Sequence, residues 1–83
     1  MIENGSIVEL SNNKKYILTD SSLENGDIYY LALEVDYDTE MPTDESTFFK
    51  AGENNTLIPI TNENDIEFLM AIFVNKFLGI IIE

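Results

Sequence analysis

The chain contains no cysteine and no histidine. Disulfide bridges, the usual zinc ligand sets, a thiol nucleophile and an imidazole general base are therefore all excluded. Arginine is absent as well, and four lysines stand against sixteen acids for a formal net charge of −12. Such a field repels phosphate polymers and anionic lipid and favours basic partners, so direct nucleic-acid binding is not expected. Glycine is scarce, and its four positions, 5, 26, 52 and 79, are dispersed beside turns and ends. No Gly-rich phosphate loop can be built from them. Long apolar runs are missing too. Phe68 to Val74 spans seven residues, against the roughly 20 that cross a bilayer. The opening "MIENGSIVEL" has no basic segment leading into an apolar run, so a soluble protein without a membrane partner is expected.

What is present is enough to fold. Hydrophobic residues make up 45% and aromatic residues 11% of the 83 residues, a composition of globular rather than disordered acidic chains. A single domain of this size buries only about 60% of its unfolded surface. With no disulfide or zinc to help, stability must come from a compact apolar core or from oligomerisation.

The pattern predicts strands at about 6–10, 15–23, 28–36, 46–51 and 56–60. "SIVEL" alternates, "SNNKK" supplies a turn, and Asn25-Gly26 in "ENGD" suits a type I′ hairpin turn, in which both central residues take positive φ. In "IYYLALEV", Tyr29, Leu31, Leu33 and Val35 share one face, read as inward, with Tyr30, Ala32 and Glu34 opposite. Pro59 cannot donate to a ladder and places the last strand at an edge or a bulge.

From Thr61 the period changes. A helix is expected over about 63–78, capped by Asn62 or Asn64 and ended by Gly79. Ile66, Leu69, Met70, Phe73, Val74 and Phe77 form the face expected to cover the sheet. Phe68, Ile72, Leu78, Ile80, Ile81 and Ile82 lie outside that face and suggest a dimer or partner surface, or a fold-back into a small core. The fold class expected is α+β: an antiparallel β-meander of about five strands, twisted and barrel-like, with one C-terminal helix packed on it.

"EVDYDTEMPTDE" (residues 34–45) concentrates six acids, Glu34, Asp36, Asp38, Glu40, Asp44 and Glu45, without a lysine. As a calcium loop it opens with suitable spacing at Asp36, Asp38 and Glu40. It then fails, with Met41 where the turn needs glycine and Thr47 where the bidentate acid belongs. No metal and no cofactor are expected. If the third strand continues past Val35, Glu34, Asp36, Asp38 and Glu40 form a row spaced by about 6.6–6.8 Å. That is about half the charge density of a DNA strand, with one charge per 3.4 Å or so. The alternative is a solvated acidic connection that blunts an edge.

The stretches "GSIVEL", "KKYIL", "ENGDIYYLALEVD" and "LIPITNENDIEFLMAIF" resemble, over most of the chain, a group of short uncharacterised acidic proteins of low-GC Gram-positive bacteria and their phages and mobile elements. The resemblance implies the same strand-turn-helix fold and a bacterial cytoplasmic setting, and carries over no active-site residue. By size and acidity the chain is also similar to small phage inhibitors, including anti-CRISPR and DNA-mimic proteins.

The function expected is a non-enzymatic interaction module that docks on a basic protein surface. The six acids would supply charge, and Tyr30 and Tyr37 would serve as aromatic anchors. The alternative is a structural or regulatory homodimer formed through the helix, with the charge serving solubility alone.

Overall fold

Asn25 and Gly26 take φ of 53° and 84°, the paired left-handed geometry of a type I′ turn. They fold β2 (Lys15–Glu24) onto β3 (Asp27–Val35). The computed structural model describes residues 2–82, with side chains from 2 to 78. A short β1 (Ile7–Glu9) precedes this hairpin. After it come β4 (Pro42–Ala51), a turn of 3-10 helix (Glu53–Asn55), β5 (Leu57–Pro59) and the helix α1 (Glu63–Ile82). The strands form one antiparallel sheet in the order β1-β2-β3-β4-β5. The fold is α+β, as the pattern predicts. Pro59 lies on the outermost strand, where its missing N–H costs no ladder bond.

Two irregularities curl the sheet. Between β2 and β3 the register passes from Leu18↔Ala32 to Asp20↔Leu31, leaving Thr19 as an extra residue. Its hydroxyl donates to the Leu31 carbonyl at 3.0 Å. Between β3 and β4 the register passes from Leu33↔Ser46 to Val35↔Pro42, so β4 carries the surplus there. Such bulges increase local twist. β4 begins at Pro42 rather than near Ser46 as expected. Asp44 and Glu45 have low strand propensity, but the Thr43 hydroxyl holds this stretch to the Glu34 carbonyl at 2.8 Å, and pairing overrides propensity.

Apolar side chains occupy both faces of the sheet. Tyr16, Leu18, Tyr30, Ala32 and Phe49 form one buried cluster, with the Tyr16 and Phe49 rings edge to face at 5.1 Å. Val8 of β1 and Leu57 of β5 both pack against it. Because these come from opposite edges of the sheet, the sheet must wrap around this face, giving a curled half-barrel. Phe48, Leu69 and Phe73 form a second cluster on the other face, joined by Tyr29, Leu31 and Ile60 from the sheet side. The expected inward set therefore needs correcting. Tyr30 and Ala32, placed outside by the pattern, are 1% and 0% exposed, whereas Tyr29 and Leu31 lie beneath α1.

Asn62 caps α1. Its side-chain oxygen accepts the N–H groups of Asn64 at 2.9 Å and Asp65 at 3.3 Å, satisfying two donors the first turn leaves over. The helix then runs past Gly79, the expected stop, to Ile82. No proline or polar turn residue follows Gly79, and glycine weakens a helix interior by about 1 kcal/mol without forbidding it.

The buried face of α1 is also rotated from the expected one. Leu69, Ile72 and Phe73 contact the sheet cluster. Lys76, on the same i, i+3, i+4, i+7 arc, donates to Asp20 at 3.0 Å and to the Ser21 carbonyl. Met70, Val74 and Phe77 are 53%, 52% and 64% exposed instead. Packing of Leu69 and Phe73 on Phe48, with Ile66 and Ile72 beside them, sets this rotation; the exposed Lys76–Asp20 pair is compatible with it and adds little.

Candidate functional site

β1, β2 and β3 align Glu9, Lys15 and Val35 in one line across the sheet, and the loop after Val35 closes over that line. Asp36 begins the loop rather than extending the strand. Its N–H donates to the Met41 carbonyl at 2.9 Å, and its carbonyl accepts the Glu40 N–H at 2.8 Å. Its carboxylate accepts the N–H groups of Asp38 and Thr39, both at 3.0 Å, and the Thr39 hydroxyl at 3.2 Å. Asp and Asn favour such turns because the side chain substitutes for a backbone acceptor. The extended row of four acids is therefore not formed; the turn at Asp36 breaks it.

The six acids consequently divide. Glu34 lies 3.7 Å from Lys14. Glu40 lies 3.1 Å from Lys15 and holds a left-handed φ of 58°, unusual for a residue with a side chain of this kind. Asp36 is occupied by its own turn. Asp38, Asp44 and Glu45 are exposed and none of them contacts a lysine. Lys50 and Lys76 are engaged with Asp27 at 3.5 Å and Asp20 at 3.0 Å. Every lysine of the chain thus faces a carboxylate, and among the described residues the remaining acids have no lysine of their own.

Of the two aromatic residues expected as anchors, Tyr30 does not serve. It is buried in the half-barrel, and its hydroxyl donates to the Ile2 carbonyl at 2.7 Å. Alternation along β3 identified its face but not that the face is enclosed. Tyr37 stays 48% exposed. Its hydroxyl donates to Glu9 at 2.8 Å, and the Lys15 ammonium sits 4.3 Å from its ring centroid while bonding its carbonyl at 3.1 Å. Glu9, which the sequence reading did not single out, joins the site only because β1 pairs with β2. A Glu at the end of an alternating "IVE" was the available signal.

These contacts shift three groups. The N–H of Thr39, then that of Asp38, then the Thr39 hydroxyl hold the Asp36 carboxyl below its usual value of 3.8. The hydrogen bond to Glu40 raises the Lys15 ammonium above 10.5, and the hydrogen bond to Glu9 raises the Tyr37 phenol above 10.0. The depressed Asp36 contributes stability above its unfolded value that is lost as pH falls through the folded one. The raised Lys15 and Tyr37 contribute stability below their unfolded values that is lost as pH rises through the folded ones. The loop is therefore held most firmly between about pH 4 and pH 10. Glu9→Gln is expected to bring Tyr37 ionisation to lower pH. The phenolate absorbance of Tyr37 is isolated by subtracting the titration of the matching Tyr37→Phe protein. An unmoved Tyr37 titration would show that the Glu9 pair does not form in solution.

Among the described residues no acid is buried, no three metal-ligating side chains converge, and no helix is long and apolar enough to cross a membrane. The proposed dimer residues are divided by the fold. Phe68 and Leu78 are 51% and 43% exposed, Ile72 is half-buried against the sheet, and the side chains of Ile80, Ile81 and Ile82 lie outside the described residues. Sequence reasoning also missed a groove between α1 and β4, of about 410 Å³, lined by Ser46, Thr47, Met70 and Val74 among others. Comparison with known proteins finds no match to any family model, curated protein or solved structure.

Proposed function

We propose that the protein is a small acidic, non-enzymatic interaction module that docks on a basic protein surface. The observation that carries this reading is the pairing of all four lysines with carboxylates in a chain of net charge −12. Acids such as Asp38, Asp44 and Glu45 remain exposed, with their charge uncompensated. Uncompensated charge of one sign steers a complementary partner and repels a like one. Tyr37, exposed but pinned by Glu9 and Lys15, offers a rigid aromatic contact beside the acids. A nucleic-acid-handling protein of a bacterial host, met by a phage or mobile-element inhibitor in the cytoplasm, presents the kind of basic surface this reading requires. The reading does not depend on a phosphate-like row.

The test replaces Asp38, Asp44 and Glu45 with Asn, Asn and Gln. Basic proteins retained from host lysate by the parent chain are expected to be lost or weakened with the triple variant, and the parent's retention is expected to fall as salt rises. Circular dichroism should show the fold unchanged. Equal retention at low salt would end the reading.

Exposed apolar residues on α1 favour a second reading, a homodimer. Phe68 and Phe77 are 51% and 64% exposed, more apolar surface than a solvated helix face needs. Sedimentation of Phe68→Asp/Phe77→Asp separates the two. A folded monomer that still binds its basic partner supports the acidic module, and a folded monomer that has lost binding supports the helix.

A further inference from the structure

β5 covers β4 only from Phe49 to Ala51, and the Ile60 N–H, donating to the Phe48 carbonyl at 2.9 Å, extends the cover by one bond. Among the described residues no strand lies beside the outer edge of β4 from Pro42 to Thr47. Backbone groups two residues apart in a strand point the same way, so Ser46 directs its N–H and carbonyl to that open edge, where it is exposed. Beside the edge runs the groove of about 410 Å³. Phe48 and Ile60 contribute to its floor, and Met70 and Val74, each more than half exposed, form its helical wall. An open strand edge and an apolar trough along it are the two parts of a strand-addition site: the edge supplies main-chain bonds and the trough takes alternate side chains.

Charge selects the occupant. Asp44 and Glu45 lie on the open stretch of β4. Glu63 and Glu67 precede Met70 and Val74 along one stripe of α1, at i, i+4, i+7 and i+11. No lysine occurs between Lys15 and Lys50, and Lys50 and Lys76 are held by Asp27 and Asp20. A second copy of this chain would bring its own acids to this rim and be repelled.

We propose that the α1–β4 groove accepts an extended segment of the partner as a sixth strand, with apolar residues alternating with lysine or arginine. The apolar residues enter the trough, the cations alternate to the opposite face of the sheet beside the open acidic stretch of β4 at Asp44 and Glu45, and Glu63 and Glu67 on the helical wall attract them at longer range. The inference rests on the acidic-module reading and specifies where that module grips.

Two short synthetic peptides of identical composition test it against the full chain, one alternating valine and lysine, the other with its valines and lysines in separate blocks. Calorimetry is expected to show the alternating peptide binding about tenfold tighter. Amide NMR shifts should centre on Ser46, Thr47, Met70 and Val74. Val74→Asn, a neutral change at an exposed position, should weaken binding about tenfold and leave the fold intact by circular dichroism. Equal binding of both peptides, with shifts centred on Asp36 to Glu40, would overturn the groove while leaving the acidic-module reading in place. Binding of neither peptide would overturn the groove too, and the Asp38/Asp44/Glu45 variant would then decide the broader reading by itself. A Val74→Asn chain that changes from dimer to monomer yet binds the peptide unchanged would assign the groove to a second copy, against the proposal.

Discussion

Phe49→Ala is expected to destabilise the protein by about 3–5 kcal/mol, the range for removing a buried phenylalanine. A chain of 83 residues has a folding stability of about 4–12 kcal/mol, so the variant should lose from about a quarter to all of it. The reason is position as well as size. Phe49 is 1% exposed, meets the edge of Tyr16 across the half-barrel, and sits on β4 opposite Tyr30 of β3. It therefore links the central strands to the wrapped ends. Urea denaturation followed by far-ultraviolet circular dichroism measures the change. A loss below about 1 kcal/mol, the ordinary mutational average, would show that Phe49 is not enclosed as described.

Leu69→Ala should cost about 2–5 kcal/mol but with a different signature. Leu69 is 1% exposed in the second cluster with Phe48 and Phe73, whose rings stack at 5.7 Å. That cluster holds α1 to the sheet and is separate from the half-barrel core. Helices draw most of their stability from packing an apolar face, so truncating Leu69 should release α1 before the sheet unfolds. Hydrogen exchange is the measurement. Amides of α1 are expected to lose protection first and those of β2 and β3 to keep theirs, because local opening follows the weakest packed unit. Simultaneous loss throughout would mean that the two clusters fold as one. Release of α1 would also remove the Met70 and Val74 wall, so the alternating peptide should no longer bind this variant.

Local chemistry in the sequence was a sound guide to the elements. Asn25-Gly26 marks its turn because few other pairs tolerate two positive φ values, Pro59 marks an edge because it lacks a donor, and Asn62 marks a helix start because its side chain can replace a missing acceptor. Faces were harder to read. In β3, alternation separates Tyr29 and Leu31 from Tyr30 and Ala32, but both sets are covered, one by α1 and one by the curl of the sheet. A two-residue period says which side chains share a face and nothing about what lies above it. In α1, Leu69 and Met70 are both apolar neighbours within a broad stripe. Which of them is buried is decided only by the packing of α1 against Tyr29, Leu31 and Phe48 of the distant sheet.

The acidic segment divides in the same way. Its composition, its lack of any lysine and its failure as a calcium loop follow from residues 34–45 alone. That Asp36 folds into a turn also has a local cause, the reach of its carboxylate to the N–H groups two and three residues on. The remaining features depend on strand pairing. Glu9 reaches Tyr37, Lys15 takes Glu40, and the first half of β4 is left open beside Met70 and Val74 because β5 is only three residues long. By itself the sequence determined the charge, the missing chemistry and the order of strands and helix, since these depend on residue type and short-range periodicity. The tertiary structure decided which apolar face is enclosed, which acids keep an uncompensated charge and where an open edge meets a groove, because each depends on residues distant in sequence that meet only when the sheet curls.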